Sequence, residues 1–96
     1  RRALREELLL TELVYRTFLS CAHVVRFLQA RNAGDPEAMR AIAVAERANA
    51  LAASPIYADA PWLDLSERAD GHFASCRDMI AAKVAWIDQW LAEGSA

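Results

Sequence analysis

Apolar positions return every three or four residues along most of the chain, and this spacing predicts three long helices and no strand. The first should cover residues 3–31. On a helical wheel, Leu4, Leu8, Leu10, Val14, Tyr15, Phe18, Cys21, Ala22, Val25 and Leu28 share one face, the expected core face. Arg5, Glu12, Arg16, Ser20, His23 and Gln29 lie opposite. Leu9, Leu13, Val24 and Phe27 break the pattern, because they lie on or beside the polar side. Single exposed apolar residues are ordinary. A group of four instead points to a second contact, made with a neighbouring domain, another copy of the chain, or the chain's own 54–74 segment.

Residues 32–36, Asn-Ala-Gly-Asp-Pro, read as a helix end and restart. Gly34 suits the left-handed geometry just past a helix, Asp35 can cap the next one, and Pro36 fits its first position. The second helix is Ala-rich and should run antiparallel to the first as far as residue 53, with Met39, Ile42, Ala43 and Ala50 as its core seam. Glu46 falls on that seam. Buried, it would need a partner such as Arg16 or Arg26; the favoured expectation places it at the seam's edge, reaching water.

Ser54-Pro55 should end the second helix, since a residue before proline is pushed out of helical geometry. Residues 56–74 are the least regular stretch, with room for a short helix over 64–70 closed by Gly71. Ser75 followed by Asp78 is a capping signal for a last helix over 76–93. If Gly71 is tolerated inside a helix, that helix starts near Asp64 instead; the cap at Ser75 favours the later start.

Composition narrows this picture. The 96 residues suit a single helical domain over 1–96. The chain has 21 Ala and 11 Leu against 11 Val, Ile and Thr together, which favours helix over sheet. A net charge of −2 excludes a strongly basic nucleic-acid module, and 55% hydrophobic content excludes a disordered chain. Glu12, Arg16, His23 and Arg26 interrupt the most apolar stretch, so no membrane span is expected. Two cysteines make no disulfide framework, and buried free thiols in a cytoplasmic setting are expected. Ten Arg against one Lys, among so many Ala, suggests a GC-rich bacterial genome. A start at Arg1, without Met or an apolar leader, gives the expectation of a piece of a longer or processed chain.

Candidate chemistry is sparse. Cys21, His23, His72 and Cys76 are the whole Cys and His content, and they converge on three metal ligands at best, so no metal and no cofactor is expected. The three glycines stand singly and build no phosphate cradle. Lys83 should snorkel beside the apolar stripe of the last helix or serve as an interface charge, with snorkelling favoured. Trp86 and Trp90, one turn apart, read as core or interface anchors, with the core favoured. Tyr57, Trp62 and Asp64 gather aromatic and acidic groups in the irregular segment, a pattern found at small-molecule pockets and in loops tethered to a bundle. No catalytic residue is assigned.

The order of elements is a long amphipathic helix, an Ala-Gly-Asp-Pro turn at 33–36 and an Ala-rich helix, then PIYADAPWLDLSERADGHFAS at 55–75 and a closing helix. In layout this resembles the helical segments appended to catalytic domains of large bacterial carbohydrate-active enzymes. The resemblance implies a scaffold whose irregular loop faces a neighbouring domain, and it places no catalytic residue here. The expected architecture is all-α, an antiparallel up-down-up three-helix bundle with an irregular 54–74 segment. The expected role is non-catalytic, through an apolar interface built from Leu9, Leu13, Val24 and Phe27. The partner is a neighbouring domain or a second copy, not nucleic acid or membrane. The alternative is a ligand- or substrate-contributing domain with Tyr57, Trp62 and Asp64 at a pocket mouth.

Overall fold

In a computed structural model that describes residues 2–64 and 75–94, the chain is all-α. Helix α1 spans Arg2–Asn32, α2 Pro36–Asp59 and α3 Cys76–Ala92, with a single 3₁₀ turn at Pro61–Leu63. There is no strand among the described residues. The short helix expected over 64–70, the Gly71 break, His72 and Phe73 lie outside the described residues, apart from Asp64.

The α1–α2 turn is built by the residues that predicted it. Gly34 takes φ +67°, a left-handed conformation that costs a residue with a Cβ about 1 kcal/mol or more. The backbone N–H of Asp35 reaches back to the Ala30 carbonyl at 2.9 Å. The Asp35 carboxylate accepts from the Ala38 N–H at 3.0 Å, and Pro36 opens α2. At the other break, Ser75 is extended and its hydroxyl accepts from the Asp78 N–H at 3.1 Å. The cap therefore fixes the start of α3 at Cys76 rather than near Asp64.

The expected end of α2 at Ser54-Pro55 is corrected. The helix runs through Pro55 to Asp59. Proline removes one N–H and crowds the carbonyl four residues back, that of Leu51. Leu51 and Pro55 both lie on the exposed side, so water can take that carbonyl. On the opposite side Ala53, Ile56 and Ala60 are buried, and the Ala60 N–H closes the last turn on the Ile56 carbonyl at 2.9 Å. Burial of Ile56 holds the extra turn in place against the local preference of the Ser-Pro pair.

Cross-links between helices set the topology. Arg5 reaches Asp59 at 3.3 Å while Ser20 and His23 meet Glu46, so α1 and α2 are antiparallel. Lys83 meets Glu46 and Arg47 meets Asp88, so α3 is antiparallel to α2. Helix α2 is the central element, packed on both others. Near one end of the bundle Phe27 of α1 meets Trp90 of α3 edge-to-face, with ring centroids 5.5 Å apart. The result is an up-down-up bundle about α2, 47 Å long by 28 and 22 Å.

The orientation of α1 reverses the expectation. Leu4, Leu8, Leu10, Val14, Tyr15, Phe18, Val25 and Leu28, expected in the core, are exposed, Phe18 by 71%. Cys21 is exposed as well. The side turned to α2 carries Leu9, Leu13, Arg16, Ser20, His23, Phe27 and Ala30, all half-buried or buried. Helix α2 meets it with Ala43, Glu46, Asn49, Ala50 and Ala53. Arg16, Ser20 and His23 face inward because α2 offers them hydrogen-bonding partners there; their role is to satisfy a polar seam rather than to face solvent.

Candidate functional site

A polar cluster lies at the centre of the helix interface. Glu46, expected at the seam's edge, is buried at 8% exposure, and Asn49 one turn later at 3%. The Glu46 carboxylate accepts from Lys83 Nζ at 2.8 Å, from Asn49 Nδ2 at 3.3 Å, and from the Ser20 hydroxyl. His23 Nδ1 lies 2.6 Å from Glu46 Oε1. An ionised carboxylate only accepts, so Nδ1 carries the proton in this pair. Neither Arg16 nor Arg26 is the Glu46 partner. Arg16 Nη1 instead donates to Asn49 Oδ1 at 3.3 Å, and Asn49 Nδ2 returns a bond to the Arg16 carbonyl at 2.9 Å.

The charge of Glu46 follows from these contacts. Burial by itself pushes its carboxyl up. Hydrogen bonds from Lys83, Ser20 and His23, with the charge of Lys83, outweigh that and hold the pKa below the ordinary carboxylate value. Glu46 is therefore an ionised, fully engaged acceptor, unsuited to general acid work near neutrality. Lys83 is not a free snorkelling side chain; it is the counter-charge of Glu46, with its stem open to solvent on one side.

A cavity of about 220 Å³ opens beside this cluster, between α1 and α3 over Ile42 and Ala43 of α2. Its walls are apolar, with Val24, Phe27, Ile42, Trp86 and Ile87 among them, and His23, Glu46 and Lys83 form its polar corner. Trp86, expected in the core, is 59% exposed on this wall, whereas Trp90 is half-buried against Phe27. A second cavity of about 230 Å³ lies on the far side of Lys83 and is lined in part by Leu13, Arg16, Asn49 and Tyr57.

The residues picked from sequence are spread over these features. Leu9, Leu13 and Phe27 are half-buried on the inward side of α1, where Phe27 contributes to packing through Trp90. Val24 is exposed on the wall of the first cavity, between α1 and α3. Tyr57 is half-buried, its hydroxyl pKa raised to about 12 by burial and by Cys76 and Asp64 nearby. The Asp64 carboxylate accepts from the Cys76 N–H at 2.6 Å, so it serves the start of α3. Trp62 is exposed on the 3₁₀ turn. Cys21 is exposed and Cys76 half-buried, which corrects the expectation of two buried thiols. Among the described residues no group of His, Cys, Asp and Glu is placed to hold a metal.

The largest unexplained feature is the outer face of α1, which sequence reading placed inside. Eight large apolar residues that sequence reading had placed in the core are exposed by 40% or more. By length and composition α1 would also be long and apolar enough to cross a membrane. Of the ionisable residues that interrupt its apolar stretch, Glu12, Arg16 and His23 are engaged with one another or with α2, through the Arg16–Glu12 pair at 3.5 Å and the polar seam. Comparison with known proteins finds no matching family model, no matching curated protein and no matching solved structure.

Proposed function

We propose that the chain is a non-catalytic helical bundle that works through an apolar interface, as an inter-domain scaffold or by self-association. The observation that carries this reading is the outer face of α1, where Leu4, Leu8, Val14, Tyr15, Phe18 and Val25 are more than 40% exposed while Arg16, Ser20 and His23 of the same helix are turned inward. Exposed apolar surface on this scale marks an interaction site in a soluble protein. The face replaces Leu9, Leu13, Val24 and Phe27 as the proposed contact. The layout shared with segments appended to carbohydrate-active enzymes agrees with an inter-domain role. Two cysteines that form no disulfide, Cys21 of them exposed, support a reducing, cytoplasmic setting.

The test is substitution on the face. Val14 and Phe18 replaced together by Ser should leave a folded, helical chain that no longer associates with itself or a neighbouring domain. A variant that loses its fold would place these residues in a core and end the reading. A second reading, a small-ligand domain, is favoured by the cavity beside Glu46 and Lys83 rather than by Trp62. It predicts that a small apolar compound raises the melting temperature of the wild type and not of an Ile42→Trp variant that fills the cavity.

A further inference from the structure

We propose that the partner of the α1 outer face is a second copy of the same chain, paired antiparallel along α1; this rests on the interface reading above and names its occupant. The outer face keeps a strict three-four spacing, at positions 4, 7, 11, 14, 18, 21, 25 and 28, the spacing of a coiled-coil seam. Every one of these positions is exposed. The inward side keeps the same spacing at 9, 13, 16, 20, 23, 27 and 30, so α1 carries two seams on opposite sides and the bundle occupies one of them.

The free seam is complementary to itself in one antiparallel register. Setting Phe18 of one copy against Cys21 of the other places a large side chain over a small one, twice, about the two-fold axis. The same register sets Val14 against Val25 and Thr11 against Leu28, and brings Tyr15 over Ala22 on the flank. At each end Glu7 of one copy comes beside Arg31 of the other, so the only acidic group within the seam meets a cation. A parallel, in-register pair would oppose Phe18 to Phe18 and Glu7 to Glu7, a steric and a like-charge conflict. The seam carries five large apolar residues exposed by 40% or more, Leu4, Val14, Phe18, Val25 and Leu28.

The experiment uses the chain with Cys76→Ala, leaving Cys21 as its one thiol. In this register the two copies of Cys21 are offset by three residues, about 4.5 Å along the axis, so a short bis-maleimide should link them. Sedimentation velocity on the uncross-linked chain should show a dimer. Glu7→Arg should weaken that dimer about tenfold or more, and adding Arg31→Glu should restore it. A chain that stays monomeric, gives no Cys21-linked dimer, or binds phosphatidylcholine vesicles in place of itself overturns the second copy as partner. A dimer that the paired charge reversal does not rescue overturns the antiparallel register. The interface reading itself falls if Val14→Ser/Phe18→Ser unfolds the chain or leaves its association unchanged, so the two failures are distinguishable.

Discussion

Lys83 on α3 places its ammonium 2.8 Å from Glu46 Oε2 on α2, and the same carboxylate receives the Ser20 hydroxyl and lies against His23 on α1. One buried side chain thus ties all three helices together. A bundle whose seam is made largely of alanine has little shape to define its register, and a central polar cluster with matched partners supplies that definition.

Replacing Lys83 with Met should therefore destabilise the bundle by about 1–2 kcal/mol. The change leaves a buried carboxylate short of its counter-charge, which costs 3–5 kcal/mol when a pair is wholly enclosed. Lys83 remains partly open to solvent, which lowers the figure. Urea unfolding with an unchanged midpoint would show that the pair contributes nothing.

The same cluster sets an acid limit. The folded-state pKa of Glu46 is depressed below its ordinary 4.5, so its contribution is complete above that value and is lost as pH falls through the folded value. A Glu46→Gln variant should lose less stability than the wild type between neutral pH and strong acid. Parallel pH–stability curves for the two proteins would remove Glu46 as the cause.

Asp35 and Pro55 act through the backbone of α2. Asp35→Ala should cost about 1 kcal/mol, because the Ala38 N–H loses its acceptor.

Pro55→Ala should act in the opposite direction, raising stability by about 1–2 kcal/mol. A helix-interior proline costs ~3 kcal/mol, and the entropy it removes from the unfolded chain returns only part of that. Thermal melts of the single variants check both, and a destabilised Pro55→Ala would mean that the proline is needed at the end of α2.

The turns and caps were legible in the sequence because Gly34, Asp35, Pro36 and Ser75 act on neighbours within a few residues. The inward side of α1 was not, because α1 repeats at helical spacing on both sides and hydropathy alone selects the greasier one. The deciding information is long-range. Glu46 lies twelve residues past Gly34, which in a tight hairpin sets it level with the stretch of α1 that carries Ser20 and His23. Asn49 then falls level with Arg16. Two polar residues one turn apart on an alanine seam, facing polar residues at matching spacing, were the available signal. The continuation of α2 through Pro55 was hidden for a related reason, since it depends on the burial of Ile56.

The most direct test of the account compares two double variants on opposite sides of α1. Thermal unfolding is followed at low protein concentration, where association adds nothing. Val14→Ser/Phe18→Ser should melt within a few degrees of the wild type, because both sites face outward and surface substitutions cost about 0.5 kcal/mol or less. Leu13→Ser/Phe27→Ser should lose about 2–4 kcal/mol, a large share of the stability of a domain this size, because both side chains are half-buried on the inward side of α1. The reverse order, with the Val14/Phe18 pair unfolded and the Leu13/Phe27 pair intact, would contradict the orientation of α1 and the interface built on it.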